Sequence, residues 1–222
     1  MHYVFDFSVV WRAWPELLSG TLAAVSYTMI SAVLALILGA GVMQARRSAL
    51  TVLRAPAVGF IEIIRNTPFL VQLFFIYFGL PEAGLRLPAP AAAILALTVN
   101  TAAYVAEILR GGVEGLAKGQ IEAGKALGLN RRQIFLDVVL KPSIRAVYPG
   151  LCGQLVLMML TTSVVASISV PELTYTAQAI EAESFRSFEV YFSVTGIYLA
   201  LAVVMSAILR LFGRWYFSYP VR

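Results

Sequence analysis

A chain of 222 residues that is 59% hydrophobic and only 13% charged, with a mean hydropathy of +0.80, cannot solvate a whole surface, since soluble domains carry roughly 25% charged residues. Its net charge of +5 sits in short basic segments between long apolar runs, the pattern of the positive-inside rule and not of a nucleic-acid footprint. A single cysteine, Cys152, and a single histidine, His2, exclude an intrachain disulfide and a Cys/His metal cluster.

Residues 1–16 hold Phe5, Phe7, Trp11 and Trp14, aromatic types that settle at the headgroup level. Crossing about 30 Å of hydrocarbon takes roughly 20 apolar helical residues, and Leu17 to Ala45 supplies them without a charge. That core is too long for a cleavable signal peptide, and its flank carries Asp6, Arg12 and Glu16 in place of a basic cluster. It is expected to remain as an anchor. Within it Ser31, Ala35 and Gly39, spaced by four, mark a packing face. Asn66 to Pro81 is slightly short and becomes a second span only by extending back to about Ala55, across Glu62 and Arg65. Leu87 to Ala106, Ala146 to Pro171 and Val190 to Leu209 are three more uncharged runs, and Trp215, Tyr216, Phe217 and Tyr219 form a second aromatic belt. The expected fold is all-α, a polytopic membrane protein with five transmembrane helices in one domain over residues 1–222.

Orientation follows from the basic residues. With the N-terminus outside, the inner segments hold Arg46, Arg47, Arg54, Arg110, Lys118, Lys125, Arg131, Arg132, Lys141, Arg145, Arg210, Arg214 and Arg222, against Arg12, Arg86 and Arg186 outside. That asymmetry predicts N-terminus out and C-terminus cytoplasmic. The outer loop expected from about 172 to 189 is acidic by contrast, with Glu172, Glu181, Glu183 and Glu189.

The longest polar segment, 110–145, is then a cytoplasmic loop. It contains a decoy. Gly119, Gly124 and Lys125 have the spacing of a phosphate-binding loop, but Ala126 stands where the magnesium-binding hydroxyl belongs, and no strand precedes it. Read as helix, Ile121 to Leu127 ends at Gly128, a plausible C-cap. Asn130 then caps a second helix with Ile134, Phe135, Val138 and Val139 on one face. A helix, a glycine joint and a helix make a compact amphipathic knob suited to a groove on a partner.

Glu122-Ala123-Gly124, three residues, then Gly128 resembles the EAA motif of the membrane subunits of ABC importers. Ala103-Tyr104-Val105-Ala106-Glu107-Ile108, Arg110-Gly111-Gly112, Arg65-Asn66-Thr67-Pro68-Phe69-Leu70-Val71-Gln72, Phe78-Gly79-Leu80-Pro81 and Val170-Pro171-Glu172-Leu173 are similar to its polar amino acid uptake branch. The likeness runs from about residue 17 to 212. It implies the type I importer permease fold in a bacterial inner membrane, with the 110–145 loop as coupling loop. It also implies a second permease subunit, identical or related, two ATPase subunits that carry the ATP and Mg, and an extracytoplasmic amino-acid-binding protein. By the same likeness Glu122, Ala123, Gly124 and Gly128 dock into the ATPase. Two positions depart from the family pattern. Gly124 replaces the usual alanine, which loosens a helix by about 1 kcal/mol, and Lys141 separates Leu140 from Pro142.

Ionisable and polar groups inside spans mark a candidate path. Glu62 and Arg65, at i and i+3, either neutralise each other as a packing pair or line the path. Asn100, Tyr104 and Glu107 fall on one helical stripe that offers an amide, a phenol and a carboxylate to an amino acid, although Glu107 also lies within reach of Arg110. Thr161, Thr162, Ser163 and Ser167 either bond within the helix bundle or face a substrate. No nucleophile, base and orienter can be assembled, so the chain itself is expected to hold no cofactor and perform no catalysis. The leading function is the translocation subunit of an ATP-driven importer for polar amino acids. The alternative is an ion-gradient-driven amino acid carrier with Glu62 or Glu107 as its proton site.

Overall fold

The computed structural model describes residues 4–115, 118–134, 136, 138 and 141–217, and every regular element among them is helical. His2, Phe135, Val139, Leu140 and Tyr219 lie outside the described residues. A one-turn helix α1 (Ser8–Arg12) leads into α2 (Trp14–Arg46), with Pro15 in its first turn, where a missing N–H is no loss. The face of α2 that holds Ser31, Ala35 and Gly39 is buried, as the spacing predicts, against the long helix α5 (Ala89–Glu114). Small residues let the two backbones approach, which drives association where lipid removes the hydrophobic incentive. A methyl group on Gly39 would stand 2.6 Å from Val105 Cγ1 and 2.9 Å from the Ala102 carbonyl.

Three contacts fix the relative direction of α2 and α5. The Ser31 hydroxyl donates to the Ile94 carbonyl at 3.4 Å, Gly39 meets Ala102 and Val105, and Arg46 pairs with Glu107. The helices therefore run parallel, and the intervening chain must return from one end of the bundle to the other. It does so as a broken element. Helix α3 (Thr51–Arg65) stops at Asn66, and α4 (Phe69–Phe74) departs at 113° to it, continued by a π turn over Phe75–Gly79 and a 3-10 turn over Leu80–Ala83. The continuous second helix expected from about Ala55 to Pro81 is thus corrected to a bent pair. The cause is Pro68, which disfavours helix at Thr67 and is itself extended, with φ −64° and ψ 140°. Freed carbonyls at the bend are satisfied: Asn66 Nδ2 donates to Glu62 O, Thr67 Oγ1 to Ile63 O, and Gln72 Nε2 to both Ile64 O and Thr67 O.

Beyond α5 come α6 (Lys118–Ala126), α7 (Arg131–Gln133) and α8 (Lys141–Thr161), the last extended by a 3-10 turn over Thr162–Ile168. Gly112 meets Ser143 and Val147, and Gly150 meets Ile108, so α8 runs antiparallel to α5. Helix α9 (Leu173–Ser184) crosses back over the start of α2, and α10 (Ser187–Tyr216) returns beside α8. Among the described residues four helices are long and apolar enough to cross a membrane, with the bent pair as a fifth crossing if counted as one span. The main core joins Ala92, Ala93, Ala96 and Leu97 of α5 to Leu73 of α4 and Met158 and Val165 of the α8 segment.

The segment from 172 to 189 corrects a second expectation. It is mostly helix, and two of its four carboxylates are buried completely. Glu172 caps α9 by accepting from the Tyr175 N–H at 2.8 Å, while Tyr198 of α10 donates to its other oxygen at 2.7 Å. Burial pushes the Glu172 carboxyl above the ordinary glutamate range, against the opposing pull of these donors. Glu189 accepts from the Asp6 N–H and pairs with Arg186, which ties the N-terminal segment to α10. Of the four, only Glu181 and Glu183 remain for an outer surface.

Candidate functional site

At the end of the bundle where α2 finishes, three guanidinium groups converge on Glu107. Arg110 Nε and Nη2 donate to its two oxygens at 3.0 Å each, Arg46 Nη1 bonds Oε1, and Arg65 Nη1 lies 3.4 Å from Oε2. The carboxylate thereby ties α2, the corner of the bent pair and α5 together. Arg110 reaches on to Glu114, so the cluster keeps an excess of positive charge.

The stripe Asn100, Tyr104 and Glu107 faces the bend along its whole length. Asn100 Nδ2 donates to Gln72 Oε1 at 3.0 Å, and the Arg65 guanidinium stands over the Tyr104 ring at 5.6 Å. The pairing of Glu62 with Arg65 does not form. Arg65, last residue of α3, turns to Glu107 and Tyr104, while Glu62 is exposed and accepts from Asn66 Nδ2 at 3.1 Å. Both residues lie in the unbroken helix α3, one turn apart, but the tertiary partners Glu107 and Tyr104 claim the Arg65 guanidinium. Thr161, Thr162, Ser163 and Ser167 each donate to a carbonyl three or four residues back in their own segment. Thr162 is fully buried.

Within the 110–145 loop, residues 118–133 form a helix, a glycine joint and the start of a second helix. Gly128, at φ +74°, ends α6: its N–H reaches Lys125 O and the Leu129 N–H reaches Gly124 O, at 3.0 and 3.1 Å. This is the Schellman closure. Asn130 Oδ1 then accepts from the Gln133 N–H, and Gln133 Oε1 from the Asn130 N–H, a reciprocal cap of α7. Gly119 to Lys125 therefore lies in helix and forms no phosphate-cradling loop. Gly124 is buried, and a methyl group there would press on Ile134 at 3.3 Å. That contact supplies a packing reason for glycine in place of alanine. Glu122, Ala123 and Gly128 are exposed around it.

Sequence reasoning missed three residues. Leu127 is 80% exposed at the tip of the knob, and its signal was a large apolar residue directly before a glycine stop. Gln72 and Arg46, the cross-links of the bend and of the arginine cluster, carried no local signal, because their partners are remote in sequence.

Residues 37–218 match the family model described as the binding-protein-dependent transport system inner membrane component. The chain belongs to this family. It is 38% identical over 208 residues to the glutamine transport system permease protein GlnP of Escherichia coli (strain K12), covering 93% of this chain and 95% of that protein. It is 36% identical to the octopine transport system permease protein OccM of Rhizobium radiobacter, covering 93% and 88%. The crystal structure of an amino acid ABC transporter with histidines superposes with a TM-score of 0.89 at 31% identity, covering 96% of this chain and 99% of that one. The permease is therefore a multi-pass inner-membrane protein of the amino acid ABC importers, of the type I fold, and the ATPase of such systems is a separate subunit. This membership decides between the two transport readings in favour of the ATP-driven one.

Proposed function

We propose that this permease is one of two membrane-spanning subunits of an importer for polar amino acids, crossing the membrane five times with its N-terminus outside and its C-terminus cytoplasmic. The knob at 118–133 carries the proposal: a doubly capped helix pair, at the same end of the bundle as Arg46 and Arg110, presents Glu122, Ala123, Leu127 and Gly128 outward. Such a knob fits a cleft on a nucleotide-binding partner, which supplies ATP and Mg; the permease itself holds no cofactor. The whole of 110–145 then serves as coupling loop within a single permease domain of 1–222. A second permease, identical or related, completes the path, and an amino-acid-binding protein delivers to the opposite end.

In this reading α5 is the transmission element. It passes directly into the loop at its C-terminal end, carries the Asn100, Tyr104 and Glu107 stripe, and is clamped through Glu107 to α2 and the bend. Closure of the ATPase pair pushes the knob and, through α5, shifts Asn100 against Gln72 and Tyr104 against Arg65, the polar contacts that bound the substrate path. Glu62, Thr161, Thr162 and Ser163 are the remaining polar groups assigned to that path.

Purification of the tagged chain from its native membrane in mild detergent, with mass spectrometry of what accompanies it, tests the assembly. An ATPase subunit is expected to copurify and to be lost from Gly128→Trp. A lone chain without ATPase, in a detergent that preserves such complexes, would refute it.

A further inference from the structure

Between α8 and α10, at the basic end of the bundle, lies a groove of about 790 Å³ that the transport reading does not use. Tyr148 makes its floor. The Tyr148 hydroxyl donates to the Leu209 carbonyl at 2.6 Å, and its ring lies against Phe217 and so close to Gly213 that a methyl group there would stand 2.4 Å away. The two helices are thus pinned at one level, and beside it Cys152, Gly153, Val156 and Leu157 make an apolar wall of the groove. A Cβ on Gly153 would meet nothing within 4 Å. Arg145, Arg210 and Arg214 rim the groove, and no carboxylate is among its described lining residues. Arg210 spends one N–H on the Ser206 carbonyl of its own helix, which holds the guanidinium at the rim. Exposed Phe212, Trp215 and Tyr216 flank it on α10, the aromatic types that mark headgroup depth.

We propose that this groove binds one anionic phospholipid of the adjacent leaflet, its phosphate on Arg210 and Arg214 and one acyl chain along Val156 and Leu157. Guanidinium groups match phosphate oxygens in a bidentate geometry, and basic pockets between membrane helices are the places where anionic headgroups gather. A second copy of the chain is a poorer occupant. A two-fold contact through the groove would bring Arg210 and Arg214 face to face with their copies, and like charges so placed oppose docking. The proposal stands independently of which solute is carried and of which end of the bundle faces the cytoplasm.

The full chain, purified in mild detergent and titrated with phosphatidylglycerol or phosphatidylcholine, provides the test through native mass spectrometry of retained lipid. Phosphatidylglycerol is expected to be retained preferentially, and Arg210→Gln/Arg214→Gln to weaken retention about 30-fold, as two headgroup charges are worth. Gly153→Leu, which fills the apolar wall and removes no charge, should expel the same lipid. Arg47→Gln/Arg54→Gln, which removes two charges at the same end away from the groove, should retain it. Equal retention of both lipids, or unchanged retention in the two groove variants, would overturn the proposal. So would efficient disulfide cross-linking of two copies through the native Cys152 in phosphatidylglycerol vesicles, because the groove would then be covered by a second permease.

Discussion

Gly128→Trp will leave the permease inserted in the membrane and abolish amino-acid-stimulated ATP hydrolysis by the assembled complex. The residue sits at φ +74°, where a side chain costs roughly 1–2 kcal/mol, and its backbone closes α6 through the bonds to Lys125 and Gly124. Relief of that strain would swing Leu129 and Asn130 away and undo the reciprocal cap with Gln133, so the knob would lose its shape while the membrane helices, which do not touch it through this residue, keep theirs. The indole would also occupy an exposed surface assigned to the ATPase cleft. Stimulated activity is expected to fall by at least about tenfold, which a misdocking worth roughly 1.4 kcal/mol suffices to cause. Glu122→Arg provides an independent arm, since it reverses a charge on the exposed face of α6 without any backbone demand. Normal stimulation in both variants, in proteoliposomes with equal permease content, would remove the knob from the coupling path.

Glu107→Gln is expected to destabilise the helix bundle by about 2 kcal/mol, below the 3–5 kcal/mol of a fully buried pair, because the arginines around it are partly exposed and screened. The loss arises less from the missing bonds than from what remains: Arg46, Arg65 and Arg110, drawn from α2, α3 and α5, would face one another with no carboxylate between them. Thermal unfolding in detergent measures the effect, and its salt dependence identifies the cause. Added salt screens repulsion between partly exposed charges, so the deficit should narrow as ionic strength rises. Arg46→Gln should cost less, because Glu107 would keep two partners. A Glu107→Gln deficit that is constant with salt would point to packing and not charge.

The long uncharged runs beginning at Leu17, Leu87, Ala146 and Val190 were legible because length and hydropathy suffice for a helix that lipid surrounds. The caps of the loop were legible too, since Gly128 and Asn130 act on neighbours within five residues. The bend was not. Thr67-Pro68 was visible, but whether a proline kinks a span or turns it through 113° depends on Gln72, whose amide satisfies the carbonyls that the break exposes. For the same reason Glu62 and Arg65 read as partners at i and i+3, although the tertiary position of Glu107 claims Arg65. Glu172 and Glu189 read as outer-surface charge, because the sequence does not show that Tyr198 and the Asp6 N–H bury them with bonds. Charge patterning locates an end of the bundle; it does not say which carboxylates the fold encloses.

Coupling of solute movement to ATP hydrolysis through a separate subunit is tested most directly by uptake into vesicles that contain the permease, its copurified ATPase and its binding protein. With polar amino acids offered outside, uptake should require hydrolysable ATP within, stop with a non-hydrolysable analogue and continue when a protonophore collapses the proton gradient. Uptake that persists without ATP and ceases with the protonophore would contradict the importer reading and restore Glu62 or Glu107 as a proton site.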